Sequence, residues 1–418
     1  MTEKVNVPKL RFGEFEGEWN EVDISSLGKV VTGSTPPTSD PSNYLGDRLF
    51  ISPADLDGRK YISSTKTTLS QKGFDTGRLL PSGSVCFVCI GSTIGKVAIN
   101  SEDAISNQQI NAVVVNHKKY DSDFVYSRLI KDSPRIKLLA GEQAVPILNK
   151  SSFGKVKVFT PPLHEQQKIA SFLSKVDEKI ALLTEKKDKL TEYKKGVMQQ
   201  LFNGKWGKQD GQLTFIPPTL RFKADDGREF PDWKEVKLGD FTKPVKRKAT
   251  DTVSKVMTIS ASQGFLDQKE RFSQVIAGSS LDRYTHIKKG EFSYNRGNSK
   301  TFKYGCIYMM REDEALVPFV YRTFKLTSGI PEFYQQLFLN HVLDRQLRKM
   351  ISSSARMDGL LNIGEKDFYK VKLLVPSIGE QTKIANFLSA IDQKIDLANS
   401  ELEKAKEWKK GLLQQMFV

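Results

Sequence analysis

The chain has 418 residues, is 39% hydrophobic, and carries a formal net charge of +15 with a pI near 9.4. Its length allows two or three domains of about 100–200 residues each, and the apolar share excludes a wholly disordered chain. So large a cationic surplus points to a polyanionic partner, nucleic acid before an acidic membrane.

The N-terminal "MTEKVNVPKLRF" lacks the apolar stretch of a signal peptide. No segment approaches the roughly 18 apolar residues that a membrane span needs. Three cysteines, Cys86, Cys89 and Cys306, are an odd number and too few for a disulfide framework, which fits a reducing compartment. A cytoplasmic protein with no membrane partner is expected.

Residues 1–160 form a first mixed, strand-rich domain, opening with "PKLRF" and "EWNEVDISSLG". Within it, "GSVCFVCIGSTIGKVAIN" from Gly83 predicts strand, glycine turn and strand. "NQQINAVVVN" from Asn107 predicts another strand, and "SDFVYSRLIKD" from Ser122 a short amphipathic helix. "GSTIGKV" only superficially resembles a phosphate-binding loop. It has three residues between its glycines where four are needed, and Val97 stands where Ser or Thr would hold magnesium. Cys86 and Cys89 form a CxxC inside an apolar strand with no second ligand pair, so they read as small core residues rather than a zinc site.

Residues 161–203 predict a long helix behind Pro161–Pro162, with a 3.5-residue seam at Ile169, Leu173, Val176, Ile180, Leu183 and Leu190 that Lys187 interrupts. Residues 204–375 form a second strand-rich domain, again opening with "PTLRF" and "DWKEVKLGD". It contains the basic run "KPVKRK" from Lys243 and the hairpin "GEFSYNRGNSKTFKYGCIYMM" from Gly290. Residues 376–418 predict a second long helix after Pro376, with a seam at Ile384, Leu388, Ile391, Ile395, Ala398, Leu402, Ala405 and Leu412. Glu165–Phe202 and Glu380–Phe417 align without gaps, and roughly half the positions are identical. The fold class is therefore α+β, as an A–B–A′–B′ tandem whose helices B and B′ are alike and whose domains A and A′ have diverged. So narrow a stripe on helices of about 57 Å suits a helix partner better than a small globular core. The chain between the helices is long enough for either direction of pairing, and an antiparallel pair suits a two-headed reader of DNA.

Catalytic chemistry is not visible. His117, His164, His286 and His341 have neither metal nor triad spacing. The three ExK fragments (Glu185–Lys187, Glu192–Lys194 and Glu407–Lys409) lie on the long helices, where such residues are ordinarily solvated. Neither N-P-P-[FY] nor G-x-G-x-x-G occurs, so the chain reads as a binder.

The tandem of variable domain, "PPLHEQQKIASFLSKVDEKI", variable domain and "PSIGEQTKIANFLSAIDQKI" resembles the DNA-specificity (S) subunit of type I restriction–modification systems over essentially the whole chain. "GSTIGKVAI" followed by "NQQINAV" also resembles the target recognition domains of that family. The resemblance implies that each domain reads one half of a bipartite, asymmetric DNA target. It further implies that the two helices form an intramolecular antiparallel coiled coil setting the gap between half-sites. The subunit itself would be non-catalytic and hold no cofactor. Two methylation subunits would bring S-adenosylmethionine and adenine-N6 chemistry, and restriction subunits ATP and magnesium.

Candidate DNA contacts are Ser92, Thr93 and Lys96 at the first hairpin tip, with Asn107, Gln108 and Gln109 after it. In the second domain they are Arg296, Asn298, Ser299 and Lys300 at the tip beside Tyr294 and Tyr304, the run Lys246, Arg247 and Lys248, and Arg356. Arg, Asn and Gln are the side chains that pair bidentately with purine edges, and Lys clamps phosphate. The Arg296–Lys300 tip reads equally as a solvated Gly–Asn turn, the Lys246–Lys248 run also as a solvated loop, and Gln108 or Gln109 also as partners of backbone. Phe172 and Phe387, at matching places beside the seams, read as partner anchors or as core, with core favoured. Three rivals remain: a coiled-coil scaffold, a fused methyltransferase or nuclease, and a stand-alone DNA binder. The missing motifs speak against the second, and the repeated helices against the third.

Overall fold

The computed structural model describes residues 6–141, 145–209, 212–216, 218–249, 253–271, 281–297, 299–351 and 361–418. It divides into two compact units, Met1–Glu185 with Asn399–Val418, and Lys186–Ala398, so that each unit contains part of both long helices.

In the first unit the strands run β1 (Asn20–Asp23), β2 (Gly28–Thr32), β3 (Tyr44–Ile51), β4 (Tyr61–Ile62), β5 (Thr67–Leu69), β6 (Val85–Val88), β7 (Val97–Asn100), β8 (Ala104–Ser106) and β9 (Ile110–Val115). Helix α1 (Ser122–Leu138), β10 (Lys157–Thr160) and the long helix α2 (Leu163–Phe202) follow. One sheet has the order β2-β9-β6-β7-β4 and a second β5-β3-β8, while β1 pairs with β10. Strand β6 shows why its sequence is continuously apolar: Val85 and Phe87 face one core cluster, with Val125 and Leu129 of α1, and Cys86 and Val88 face the other, with Leu49 and Ile51 of β3. A strand covered on both faces has no polar side to present. The CxxC is thus two packed thiols, and burial pushes both up to about 12. Helix α1 starts where Asp121 accepts bonds from the backbone N–H groups of Asp123 and Phe124, filling orphan donors of the first turn.

In the second unit the strands are β11 (Lys205–Gln209), β12 (Gln212–Ile216), β13 (Lys234–Lys237), β14 (Thr242–Pro244), β15 (Met257–Ser260), β16 (Gly264–Asp267), β17 (Thr285–Lys288), β18 (Phe292–Asn295), β19 (Cys306–Met309), β20 (Glu314–Val317) and β21 (Arg322–Leu326). Helix α3 (Pro331–Leu339), β22 (Lys372–Val375) and the second long helix α4 (Ile378–Met416) complete it. The main sheet has the order β14-β21-β18-β19, and α3 packs on it through Phe333 and Leu337. The two expected hairpins are β6–β7 and β18–β19, both antiparallel.

The long helices pair antiparallel within each unit. In the first, Ile169, Leu173 and Val176 near the start of α2 share a core with Leu412 and Met416 near the end of α4, and Lys409 Nζ lies 2.5 Å from Asp177. In the second, Ile384, Leu388 and Ile391 near the start of α4 meet Val197 and Leu201 near the end of α2, and Lys194 Nζ lies 2.6 Å from Asp392. The stripe is less exclusive than its period suggests. Ile169 and Leu173 also pack on Trp19 and Phe124, and Ile384 and Leu388 share their core with Phe333 and Tyr334, so the start of each helix belongs to its own domain as well. Away from those domains Ile180, Leu183, Leu190 and Ile395 are half-buried, while Ala398, Leu402 and Ala405 are buried.

The repeated "EQ" and "LRF" hold one another. Glu165 accepts Arg11 Nε at 2.8 Å and Nη2 at 2.7 Å, and Glu380 accepts Arg221 Nε at 2.9 Å and Nη2 at 2.7 Å. Both carboxylates are buried, and both sit in the first turn, where the helix dipole favours an anion. The hydrogen bond to its glutamate raises each arginine's pKa. Next to them, Gln166 Nε2 donates to Pro161 O and Gln381 Nε2 to Pro376 O, closing each helix on the proline two residues before its start. Phe172 meets Phe12 edge to face at 5.8 Å, and Phe387 meets Phe222 at 5.5 Å. These half-buried phenylalanines therefore tie each helix to its domain's opening segment.

Candidate nucleic-acid interface

In the first unit three polar loops converge. Gly91 and Gly95 take positive φ at the β6–β7 tip, a backbone conformation that L side chains rarely adopt, so the turn favours glycine at both places. Cys89 N–H donates to Gln109 O and Gln109 Nε2 to Ile90 O, joining this tip to the 107–109 turn. The third loop follows β2: Gly33 N–H donates to Ile110 O and Ser34 N–H to Ser106 O. Here a Cβ at Gly33 would lie 2.1 Å from Asn107 O, so only glycine allows the approach.

This convergence sorts the candidates. Gln109 is spent internally, since its Oε1 also accepts Asn107 Nδ2, and its N–H bonds Asn107 Oδ1. Gln108 is exposed between them and is held by Thr35 Oγ1, which donates to Gln108 Oε1 at 2.6 Å. Ser92 and Lys96 are exposed and Thr93 half-buried on the adjoining tip, and Lys96 has no carboxylate partner among the described residues. Sequence reading missed Thr35 and the exposed Arg78, whose Nη1 donates to Thr32 O. The signal available for the loop was the polar, Gly/Pro-rich "TGSTPPT" after an apolar strand.

In the second unit the β18–β19 tip carries Lys300 and the overlooked Lys303, both exposed. Ser299 Oγ closes the turn by accepting Phe302 N–H at 2.9 Å. Arg296 is half-buried and directs Nε and Nη2 at Val320 O, at 3.3 and 3.2 Å. Tyr294 is buried and stacks on Phe368 at 4.8 Å. Along the basic run the exposures alternate. Lys246 and Lys248 are exposed, while Arg247 turns back to pair with Glu291. Lys246 lies 3.8 Å from the exposed Glu365, a distance that leaves it available to phosphate. Asn298 and Arg356 lie outside the described residues.

Among the described residues no group of three or more His, Cys, Asp or Glu side chains could hold a metal ion. None of the helices there is long and apolar enough to cross a membrane.

Two strand-rich modules, each fastened by an arginine–glutamate clamp to its own copy of a long helix and each presenting a polar loop cluster of different composition, define a tandem recognition protein. The model for the type I restriction modification DNA specificity domain matches the chain twice, over residues 16–192 and 231–407. The chain belongs to that family, and its role there is the recognition of a DNA sequence. It is 31% identical over 195 residues to the HindI specificity subunit of Haemophilus influenzae, a match covering 44% of this chain and 41% of that one. It is 24% identical over 427 residues to the MjaVIII specificity subunit of Methanocaldococcus jannaschii, covering 96% and 92%. Its fold is similar to the crystal structure of the type I S subunit from M. genitalium, with a TM-score of 0.57 at 15% identity over 99% of both chains.

Proposed function

We propose that this chain is the non-catalytic specificity subunit of a type I restriction–modification complex, in which each recognition domain reads one half of a bipartite, asymmetric DNA target. The observation that carries this reading is the pairing of identical anchors with unlike reading surfaces. Arg11–Glu165 and Arg221–Glu380 repeat the same clamp, whereas the tips they support are Ser92–Lys96 in one unit and Arg296–Lys300 in the other. Lysines and arginines supply salt-dependent, sequence-independent affinity, and the differing polar side chains around the tips, Gln108 among them in the first unit, supply base readout.

The domains extend over 1–160 and 204–375, and the helical segments 161–203 and 376–418 set the spacer between half-sites. Inserting one heptad in each helix adds about 10.5 Å, or roughly three base pairs at about 3.4 Å each. Two methylation subunits carrying S-adenosylmethionine dock on the helices, and restriction subunits using ATP and magnesium join them in the cytoplasm. Support for docking comes from exposed apolar side chains at matching positions of the repeat, Leu182 with Leu397 and Tyr193 with Trp408, which neither seam buries.

The test is an adenine-methylation map in a methylation-free host expressing the protein with its cognate methylation subunit. A single split motif with a constant gap and methylated adenines on opposite strands is expected. Association of the two proteins without any new methylation would leave a coiled-coil scaffold as the better reading.

A further inference from the structure

The 215-residue repeat (Glu165 to Glu380) allows the two units to be compared place by place, and at one place an occupant is missing. In the first unit Lys60 Nζ lies 3.0 Å from Asp123 Oδ1 and donates to Ser174 Oγ at 2.9 Å. The ammonium also sits 5.3 Å and 5.7 Å from the ring centres of Tyr61 and Tyr126. Strand β4 delivers it by running parallel along the outer edge of β7, where Ile99 N–H donates to Lys60 O.

The second unit repeats the acceptors without the lysine. Ser389 and Asp392 are the repeat counterparts of Ser174 and Asp177, and Lys194 holds Asp392 as Lys409 holds Asp177. Glu332 occupies the second position of α3, as Asp123 does in α1. Each precedes a phenylalanine that packs on the phenylalanine closing a long-helix copy, Phe333 on Phe202 and Phe124 on Phe417. The chain after β15, however, folds back on it as β16 and does not cross to the main sheet. Among the described residues β19 is therefore laddered on one edge only, by β18.

What remains is a cleft of about 390 Å³ lined by Met310, Glu332, Gln336, Ser389, Asp392 and Asp396. It shares Gln336, Asp392 and Asp396 with a neighbouring hollow of about 450 Å³. Its chemistry is that of an acceptor site. Gln336 is only 4% exposed; its Nε2 donates to Asp392 Oδ2 at 2.8 Å, while its Oε1 is buried with no donor among the described residues. Such an orphaned acceptor calls for a donor. Neither Glu332 nor Asp396 has a cationic partner among the described residues, and both are exposed. The cations around the cleft are Lys194, already on Asp392, Lys289, 3.6 Å from Asp313, and Arg311 at the rim.

We infer that this cleft is a socket for a lysine ammonium supplied by a partner protein, filling the role that Lys60 fills from within the first unit. Three N–H donors on a compact charge match acceptors spread over Glu332, Gln336 and Ser389 better than a planar guanidinium does. Gln335 caps the outer edge of β19, its Oε1 accepting Met309 N–H and its Nε2 donating to Ile307 O, so the lysine side chain enters the cleft without strand addition to that edge. The partner is the methylation subunit, so the inference rests on the function proposed above.

Carbodiimide treatment of the full-length protein co-purified with its methylation subunit tests it, because this reagent joins only carboxylates and amines in contact. The expected product is an amide between Glu332 or Asp396 and a methylation-subunit lysine, located by mass spectrometry. It should disappear in Glu332→Gln/Asp396→Asn while other links between the two proteins persist. A complex that yields links elsewhere but none at these carboxylates overturns the inference, as do links from them to lysines of this chain. If no complex forms, the proposed function fails and the socket fails with it.

Discussion

Removing Arg11 should destabilise the first unit more than removing the glutamate it holds. Two charge-assisted hydrogen bonds of 2.7–2.8 Å join them, with side-chain exposures of 12% for Arg11 and 1% for Glu165. Such bonds contribute about 1.5–3 kcal/mol each, and breaking a buried pair from one side costs about 3–5 kcal/mol. Arg11→Ala leaves Glu165 charged in the core with Trp19 Nε1, at 3.3 Å, as its remaining side-chain donor. Glu165→Ala leaves Arg11 near solvent and still bonded to Glu16 O and Gly17 O. We therefore expect a loss of about 4 kcal/mol for Arg11→Ala and about 2–3 kcal/mol for Glu165→Ala. Arg221→Ala should be at least as harmful as Arg11→Ala, because Trp233 Nε1 makes no hydrogen bond among the described residues and gives Glu380 no fallback there. Urea unfolding of the single and double variants provides the cycle, and a coupling of about 2 kcal/mol is expected. Arg11→Ala within about 0.5 kcal/mol of wild type would refute the clamp as a structural anchor.

Leu388→Ala should cost about 2–5 kcal/mol, since Leu388 is fully buried, whereas exposed Leu182→Ala should leave unfolding unchanged and weaken co-purification of a methylation subunit. Burial pushes the Cys86 and Cys89 thiols up to about 12, while in the unfolded chain they ionise near about 8.5. The unfolded state thus binds fewer protons above that pH, and stability should fall as pH rises from 8 to 9.5, by up to about 1.4 kcal/mol per pH unit per thiol. Urea titrations with wild type and Cys86→Ala/Cys89→Ala check this, and equal slopes would contradict it. Lys96→Ala and Lys300→Ala should each lower the salt slope of DNA binding by about one, with little effect on sequence preference.

The helices, the hairpins and the tandem plan were legible because their signals are local: a 3.5-residue period, glycines at turns, and a repeat visible by alignment. Their partners were less legible. The seam predicted helix pairing, yet Ile169 and Ile384 also pack on Trp19 and Phe333, which lie more than a hundred residues from one and about fifty from the other. "LRF" and "EQ" were each seen twice, but no spacing rule says that Arg11 reaches Glu165. At the reading surface, residue type alone ranked Gln108 with Gln109 and Arg296 with Lys300. Internal hydrogen bonds separate them, committing Gln109 to Asn107 and Ile90, and Arg296 to Val320. Thr35 escaped because it comes from a loop 73 residues from the glutamine it holds.

The central claim is that two independent readers share one chain. Its most direct test is the methylated motif of Gln108→Ala compared with that of Lys300→Ala/Lys303→Ala, each mapped at single-molecule resolution beside wild type. The account predicts that Gln108→Ala relaxes or alters one half-site and leaves the other half and the gap intact. The lysine pair should leave the motif unchanged and lower occupancy. A substitution at Gln108 that altered both half-sites together, or neither, would contradict it.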